Sequence, residues 1–194
     1  MKLTLYGQKT TRAMRVIWML EELGLSFEHV DCVAGTKDAL EASPTGKVPA
    51  LDVDGTVITD STAILTFLTD HTGKLTAPAG TLDRARQDAL TQQINDELDA
   101  ILWTAARHSF ILPEEHRVRD IKPSLRWEFS RNAARLMERA EGPFLMGEAF
   151  TVPDMLAAHC GIWARVAKFE LPESFAAYTD RCVARDAYRR AVGS

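Results

Sequence analysis

The sequence has few cysteines, no long apolar run and no cluster of basic residues. Its three cysteines, Cys32, Cys160 and Cys182, include no CxxC pair, so they indicate neither a disulfide framework nor a zinc site. No window approaches the roughly 20 apolar residues that a membrane span requires. The formal net charge of −4 disfavours nucleic acid as a partner. We therefore expect a cytoplasmic protein with no membrane partner and no bound metal.

The pattern of apolar residues changes about a third of the way along the chain. The 194 residues, 46% of them hydrophobic and 26% charged, suffice for one large domain or two small ones. The first part predicts the order β-α-β-α-β-β-α, with strands over residues 2–6, 26–33, 50–53 and 56–59 and helices over 11–23, 37–42 and 60–71. After a linker-like stretch, the helical period of 3.6 predicts four helices, over residues 82–108, 123–141, 152–168 and 175–191.

A proline stands where the third strand is predicted to begin, in the segment TGKVPAL. Pro49 has no backbone N–H, so it does not suit the interior of a central strand. It either ends a hydrogen-bond ladder or holds a cis bond that presents the preceding backbone to a ligand. The residues alone favour the first interpretation, because only about 5–6% of X–Pro bonds in folded proteins are cis.

Four segments resemble those of cytosolic glutathione transferases of a bacterial type: RVIWMLEELGL, SPTGKVPALDVDG followed by ITDSTAIL, FTVPDMLAA, and YTDRCVARDAYRRA. The resemblance spans nearly the whole chain. It implies an α/β plus all-α fold: a thioredoxin-like, glutathione-binding domain over residues 1–75, a linker over 76–84, and an all-helical domain over 85–194 that lines the electrophile site. In the thioredoxin-like fold this proline is cis, so the resemblance makes a cis bond before Pro49 the favoured interpretation.

The resemblance also implies a glutathione S-transferase with glutathione as co-substrate and no further cofactor. A cis Val48–Pro49 bond would turn the Val48 N–H and C=O toward the cysteinyl unit of this extended peptide. Asp60 and Ser61 open a predicted helix, whose N–H groups and positive dipole end suit the γ-glutamyl carboxylate, while Asp60 can face the ammonium. Either residue could instead only cap the helix. Two lysines could reach the glycyl carboxylate or simply be solvated: Lys47 and Lys37.

The group that stabilises the glutathione thiolate is expected in the loop after the first strand, YGQKTTRAMR. A free thiol with a pKa of about 8.5 is mostly protonated at neutral pH, so the enzyme must favour its thiolate. Thr10 falls where serine-type classes carry their hydroxyl, and Thr11 is the alternate; either could instead cap the helix. Arg12 falls where other classes carry cysteine, and its positive charge would favour the thiolate. Tyr6 lies where some classes carry a catalytic tyrosine, but it is predicted to lie too deep in the first strand for that role.

Some conspicuous residues are predicted to be structural. Thr151 and Asp154 form the capping box of a helix, with Phe150 and Met155 as its hydrophobic staple. Large apolar side chains at helical spacing usually pack inward. On that ground three aromatic residues are predicted to be core: Trp103, Phe110 and Trp163.

Two functions remain open at this stage. The first is a glutathione transferase that acts on a small electrophile, and the second is a non-catalytic binding protein with the same fold. The resemblance implies a homodimer in which an acid of one chain reaches the γ-glutamyl ammonium bound by the other. The candidate acids are Asp96, Glu97 and Asp99.

Overall fold

The first part of the chain folds as a mixed four-stranded sheet in the computed structural model, which describes residues 1–193. Its strands are β1 (Leu3–Tyr6), β2 (Glu28–Val30), β3 (Ala50–Val53) and β4 (Thr56–Thr59). Its helices are α1 (Ala13–Leu23), α2 (Lys37–Ala42) and α3 (Ser61–Thr72). The strand order is β2-β1-β3-β4, with β1 parallel to β2 and the other neighbours antiparallel. The predicted thioredoxin-like order is confirmed.

Local sequence explains where several of these elements begin and end. In β1, Leu3 and Leu5 are buried while Thr4 and Tyr6 are only half-buried, as expected for a strand with one face on the core. α1 ends at Gly24, which takes the left-handed conformation with φ 68°. Asp54 (φ 51°) and Gly55 (φ 90°) form the predicted two-residue hairpin turn between β3 and β4, because both positions have positive φ.

The last residues of the chain do not continue the preceding helix. A single helix is predicted over residues 175–191, and this prediction is wrong. The structure has α8 (Glu173–Val183) and α9 (Asp186–Val192), and between them Arg185 is extended, with φ −67° and ψ 141°. The first compact unit comprises residues 1–79 and the described residues from 184 onward, whereas the sequence assigns the latter to the helical domain.

Helix α9 is held on α1 by aromatic and ionic contacts within this first unit. The rings of Trp18 and Tyr188 meet edge to face, with centroids 4.8 Å apart. The Arg185 guanidinium donates to both carboxylate oxygens of Glu22, at 2.6 and 2.8 Å. The Glu22 side chain is only 7% exposed and that of Arg185 is 30% exposed, so this bidentate ion pair is largely shielded from water.

The second compact unit, residues 80–183, contains the remaining helices. They are α4 (Leu82–Ile94), α5 (Ala100–Ala106), α6 (Lys122–Glu138), α7 (Val152–Val166) and α8. Two π-helical segments, Asn95–Asp99 and Arg107–Ile111, follow α4 and α5, and two short 3-10 turns, Glu114–His116 and Arg119–Ile121, precede α6. The predicted fold class, an α/β domain followed by a helical domain, is confirmed.

The long helix predicted over residues 82–108 is continuous, but its hydrogen bonding changes to the π-helical pattern at Asn95–Asp99. The side-chain amide of Asn132, from α6, donates to the Glu97 carbonyl at 3.0 Å. Asn132 is buried, so its amide needs a partner inside the protein and the Glu97 carbonyl provides one. This contact joins residues 35 positions apart, and helical periodicity gives no sign of it.

The motif at the start of α7 is structural, as predicted. The buried Asp154 carboxylate accepts hydrogen bonds from the Leu145 N–H, the Thr151 N–H and hydroxyl, and the Tyr178 hydroxyl, all at 2.7–2.9 Å. Burial raises the pKa of Asp154 above its usual value, and these four hydrogen bonds oppose that rise. The carboxylate therefore ties α7 to α8 and to the preceding loop.

Two of the three aromatic residues predicted to be core lie at the surface instead. Trp103 is 37% exposed and Phe110 is 67% exposed, so the prediction is wrong for both. Trp163 is half-buried, and its ring meets that of His159 edge to face, with centroids 6.4 Å apart. Helical spacing places residues on one face but does not show that another element covers it. Over residues 1–193 we find no helix with the length and apolarity needed to cross a bilayer.

Candidate functional site

The start of α1 and the segment before β3 meet at Gly7, directly after β1. Gly7 has φ 135°, and a Cβ there would lie 2.9 Å from the Ala13 Cβ and 3.0 Å from the Val48 Cβ. Only glycine fits this approach without a shift of its neighbours. A further contact joins α1 to the start of α3, since Arg15 Nη1 donates to Ser61 Oγ at 3.2 Å. The fold thus places the β1–α1 loop (residues 7–12), the segment before β3 and the N-terminus of α3 side by side.

The segment before β3 has the predicted cis bond. The Val48–Pro49 peptide is cis, and β3 begins one residue later at Ala50, so Pro49 lies outside the ladder. Val48 is half-buried, and neither its N–H nor its C=O has a hydrogen-bond partner among residues 1–193. A free donor and acceptor on one residue beside a strand is the arrangement that an extended peptide can pair with.

The N-terminus of α3 shows that Asp60 caps the helix. Asp60 has φ 72°, and its Oδ1 accepts from the Thr62 N–H at 2.8 Å and the Ala63 N–H at 3.3 Å. Ser61 is only 1% exposed, and its backbone N–H has no acceptor in the described part of the chain. The cap therefore satisfies the second and third N–H groups of the helix and leaves the first.

The two threonines of the β1–α1 loop differ sharply in their contacts. The Thr11 hydroxyl donates to the Gln8 carbonyl at 2.7 Å and accepts from the Ala13 N–H at 3.2 Å, so it holds the turn that leads into α1. Thr10 is exposed, and within the described residues its hydroxyl makes no hydrogen bond. Arg12 is half-buried and directly precedes α1. Of the two candidate hydroxyls, only that of Thr10 is available to a ligand.

The lysines predicted for the glycyl carboxylate lie in different settings. Lys47 is exposed, directly before Val48, and forms no ion pair with the described acidic residues. Lys37 is on α2 and lies 3.6 Å from Glu41, with most of its side chain in solvent. The loop before α2 is nevertheless bound to the segment before Val48, because the Gly35 N–H donates to the Gly46 carbonyl at 2.8 Å.

Cys32, the cysteine of the first unit, is not activated. Cys32 is buried, and burial raises the pKa of its thiol, followed by the negative charges of Asp38 and Asp31; the Gly7 N–H partly opposes the rise. A thiol whose pKa is raised stays protonated at neutral pH, so Cys32 is not a nucleophile here. Among residues 1–193 no group of three or more His, Cys, Asp or Glu side chains could hold a metal ion.

Arg15 is a site residue that the sequence did not reveal. It lies on α1 and is 1% exposed, although arginine is seldom buried. One signal was present: Arg15 stands within the apolar run AMRVIWML, where a surface arginine is not expected. The partner that gives it meaning, Ser61, is 46 positions away and cannot be found from helical periodicity.

Comparison with known proteins agrees with this geometry. Residues 5–74 match the family model described as the glutathione S-transferase N-terminal domain. A glutathione S-transferase of Pseudomonas putida is 29% identical over 140 residues, which cover 71% of this chain and 63% of the relative, so the match spans less than two thirds of that relative's length.

Solved structures extend the likeness to the whole chain. A glutathione transferase from Methylococcus capsulatus superposes with a TM-score of 0.85 at 29% identity, covering 97% of this chain and 96% of the other. A glutathione transferase homologue from Sulfitobacter with bound glutathione superposes with a TM-score of 0.82, covering 98% and 97% of the two chains. At 20% identity this second likeness bears on the fold alone.

Proposed function

Residues 5–74 match the glutathione S-transferase N-terminal domain, and from this premise we propose that the chain is a glutathione S-transferase that binds glutathione and stabilises the thiolate for attack on a small electrophile. One observation carries the proposal. Three neighbouring segments leave hydrogen-bonding groups without partners among the described residues, at Thr10, Val48 and Ser61. The Ser61 N–H is buried and the Val48 backbone is half-buried, and such groups are usually paired, so their lack of partners supports a ligand. Thr10 is exposed and contributes a hydroxyl that no other described residue occupies.

The proposed ligand pairing follows from the chemistry of each group. The Val48 N–H and C=O pair with the cysteinyl unit of glutathione. The Ser61 N–H and hydroxyl donate to the γ-glutamyl carboxylate at the positive end of α3. Asp60 uses Oδ1 for the cap, so Oδ2 faces the γ-glutamyl ammonium. Lys47 attracts the glycyl carboxylate, and Lys37 is the second candidate for that role.

The proposed chemistry centres on the sulfur of glutathione. The Thr10 hydroxyl donates a hydrogen bond to the sulfur, and the charge of Arg12 further favours the thiolate, so the thiol proton is released to solvent near neutral pH. The thiolate then attacks an electrophilic carbon and forms a carbon–sulfur bond, while the leaving group departs with its electron pair. In this scheme the protein contributes binding and charge stabilisation, and no cofactor takes part.

The proposal includes a homodimer. Of the three acids predicted to reach across such a dimer, Asp96 is exposed, Glu97 accepts from the Gln93 side chain at 2.9 Å, and Asp99 is buried. Asp96 is therefore the acid that would face a partner's ligand. Residence in the cytoplasm stays an expectation from the sequence.

Calorimetric titration with glutathione, followed by a conjugation assay with an aryl halide, tests the proposal. Ser61→Ala should weaken binding by about 1–3 kcal/mol, the usual cost of losing a hydrogen bond to a charged group. Thr56→Ala, at the turn end of β4, is the matched control and should bind like the wild type. Binding without turnover would favour the non-catalytic alternative. No binding by the wild type would contradict the proposal.

A further inference from the structure

We propose that Arg15 is a positioning residue that aims the Ser61 hydroxyl at the γ-glutamyl carboxylate of the bound peptide. This inference rests on the proposed glutathione site and names a residue that acts through Ser61 without touching the ligand. It starts from one contact, the hydrogen bond from Arg15 Nη1 to Ser61 Oγ at 3.2 Å.

The direction of this hydrogen bond fixes the direction of the serine proton. A guanidinium has five N–H donors and no acceptor, so Ser61 Oγ must be the acceptor in this contact. The hydroxyl hydrogen of Ser61 therefore points away from Arg15. No described residue accepts it, which leaves it available as a donor to a ligand.

Burial makes this orientation specific. Arg15 is only 1% exposed, so water has little access to its guanidinium and does not compete with Ser61 for it. In such surroundings a hydrogen bond is electrostatically stronger than in water, and a hydroxyl that accepts from a cation becomes a better donor. Arg15 thus selects one rotamer of the Ser61 hydroxyl and strengthens the hydrogen bond that the hydroxyl gives.

The inferred hydrogen bond completes a carboxylate site at the start of α3. Asp60 occupies the Thr62 and Ala63 N–H groups, so those two donors do not compete for the ligand. The Ser61 N–H and the Ser61 hydroxyl remain, two donors on one residue that can meet the two oxygens of one carboxylate. Without Arg15 the N–H would keep its direction, because the helix fixes it, while the hydroxyl would lose its orientation.

A double-mutant cycle tests the inference. Glutathione affinity is measured by calorimetry for the wild type, Arg15→Met, Ser61→Ala and the double variant. If Arg15 acts through Ser61, Arg15→Met should weaken binding about tenfold in the wild-type background, the order of one hydrogen bond to a charged group. In the Ser61→Ala background the same change should alter affinity by less than about twofold.

A second ligand separates positioning from a general structural role. The probe is γ-aminobutyryl-cysteinylglycine, which is glutathione without its γ-glutamyl α-carboxylate. Arg15→Met should leave its affinity within about twofold of the wild type, since the group that Ser61 is aimed at is missing. Arg185→Met, which removes a guanidinium at the other end of α1, is the control and should change the affinity of neither ligand.

The outcomes are distinguishable. Equal losses in both backgrounds, or with both ligands, would overturn the inference and leave the glutathione site standing. Failure of the wild type to bind glutathione would overturn the proposed site, and the inference with it. If Arg15→Met does not fold, Arg15→Lys replaces it in the same cycle. A lysine keeps one charged donor, so we expect a smaller loss that again disappears in the Ser61→Ala background.

Discussion

Thr10 offers the most direct test of the proposed chemistry, because its loss should change the sulfur without disturbing the fold. Its hydroxyl has no hydrogen bond within the described residues, so Thr10→Val removes no internal hydrogen bond. A lost hydrogen bond to a charged acceptor is worth about 1.5–3 kcal/mol, and one pKa unit corresponds to about 1.4 kcal/mol. The pKa of the bound thiol should therefore rise by roughly one to two units.

The assay is thiolate absorbance of enzyme-bound glutathione as a function of pH, together with the conjugation rate at saturating glutathione. At a pH below the wild-type pKa, each unit of rise lowers the thiolate fraction tenfold, so the rate should fall about 10- to 100-fold. Affinity should change little, because most of the proposed ligand contacts lie at Val48, Asp60 and Ser61. Thr10→Ser should keep most of the activity, since it keeps the donor.

Thr11→Val is the matched control for this experiment. It removes the hydroxyl that holds Gln8 and Ala13, so it should cost about 1 kcal/mol of folding stability and leave the thiol pKa unchanged. If Thr11→Val raises the thiol pKa and Thr10→Val does not, the assignment of the hydroxyl is wrong. If the wild type does not lower the thiol pKa at all, the catalytic proposal fails and the binding alternative gains.

Three further predictions concern stability and assembly. Asp154→Ala should lower the free energy of unfolding by about 4 kcal/mol in denaturant titration, because it leaves four buried donors without an acceptor. Asp180→Ala, which breaks an exposed ion pair with Arg165, is the control and should cost under about 1 kcal/mol. Arg185→Ala should cost about 2 kcal/mol, because it leaves the shielded Glu22 carboxylate without its bidentate partner; an unchanged melting temperature would show that α9 does not brace α1. Sedimentation at micromolar concentration should show a dimer, and a single 21.6 kDa species would remove the role given to Asp96.

The elements that the sequence predicted best are those with local signals. The bounds of α2, β3 and β4 agree with the prediction. For β3 and β4 the local signal is the turn sequence Asp54-Gly55, which fixes where one strand ends and the next begins. The break between α8 and α9 had no such signal, since neither glycine nor proline lies near Arg185. That break follows from the docking of α9 on α1, through the contact between Arg185 and Glu22, and these residues are 163 positions apart.

The sequence named the candidate site residues but left their individual contacts open. Thr10 and Thr11 have identical side chains, so the sequence does not distinguish them. The backbone conformation of the loop determines that the Thr11 hydroxyl, and not that of Thr10, donates to the Gln8 carbonyl. Periodicity placed Trp103 and Phe110 on a helix face without showing that the face is uncovered. Roles of this kind depend on contacts between distant segments, which composition and spacing do not encode.

Hydrogen-bond satisfaction separates the groups that build this fold from those that have no partner among the described residues. At each of the three segments one residue is satisfied and its neighbour is not: Thr11 is paired and Thr10 is not, and the Asp60 cap serves the two N–H groups that follow Ser61. In the third segment the ladder begins just after Val48, whose backbone stays unpaired. A domain selected only for stability would gain from pairing the buried Ser61 N–H and the half-buried Val48 backbone, because an unpaired buried donor costs about 1–3 kcal/mol. That these groups stay unpaired supports the proposal that a ligand pairs with them.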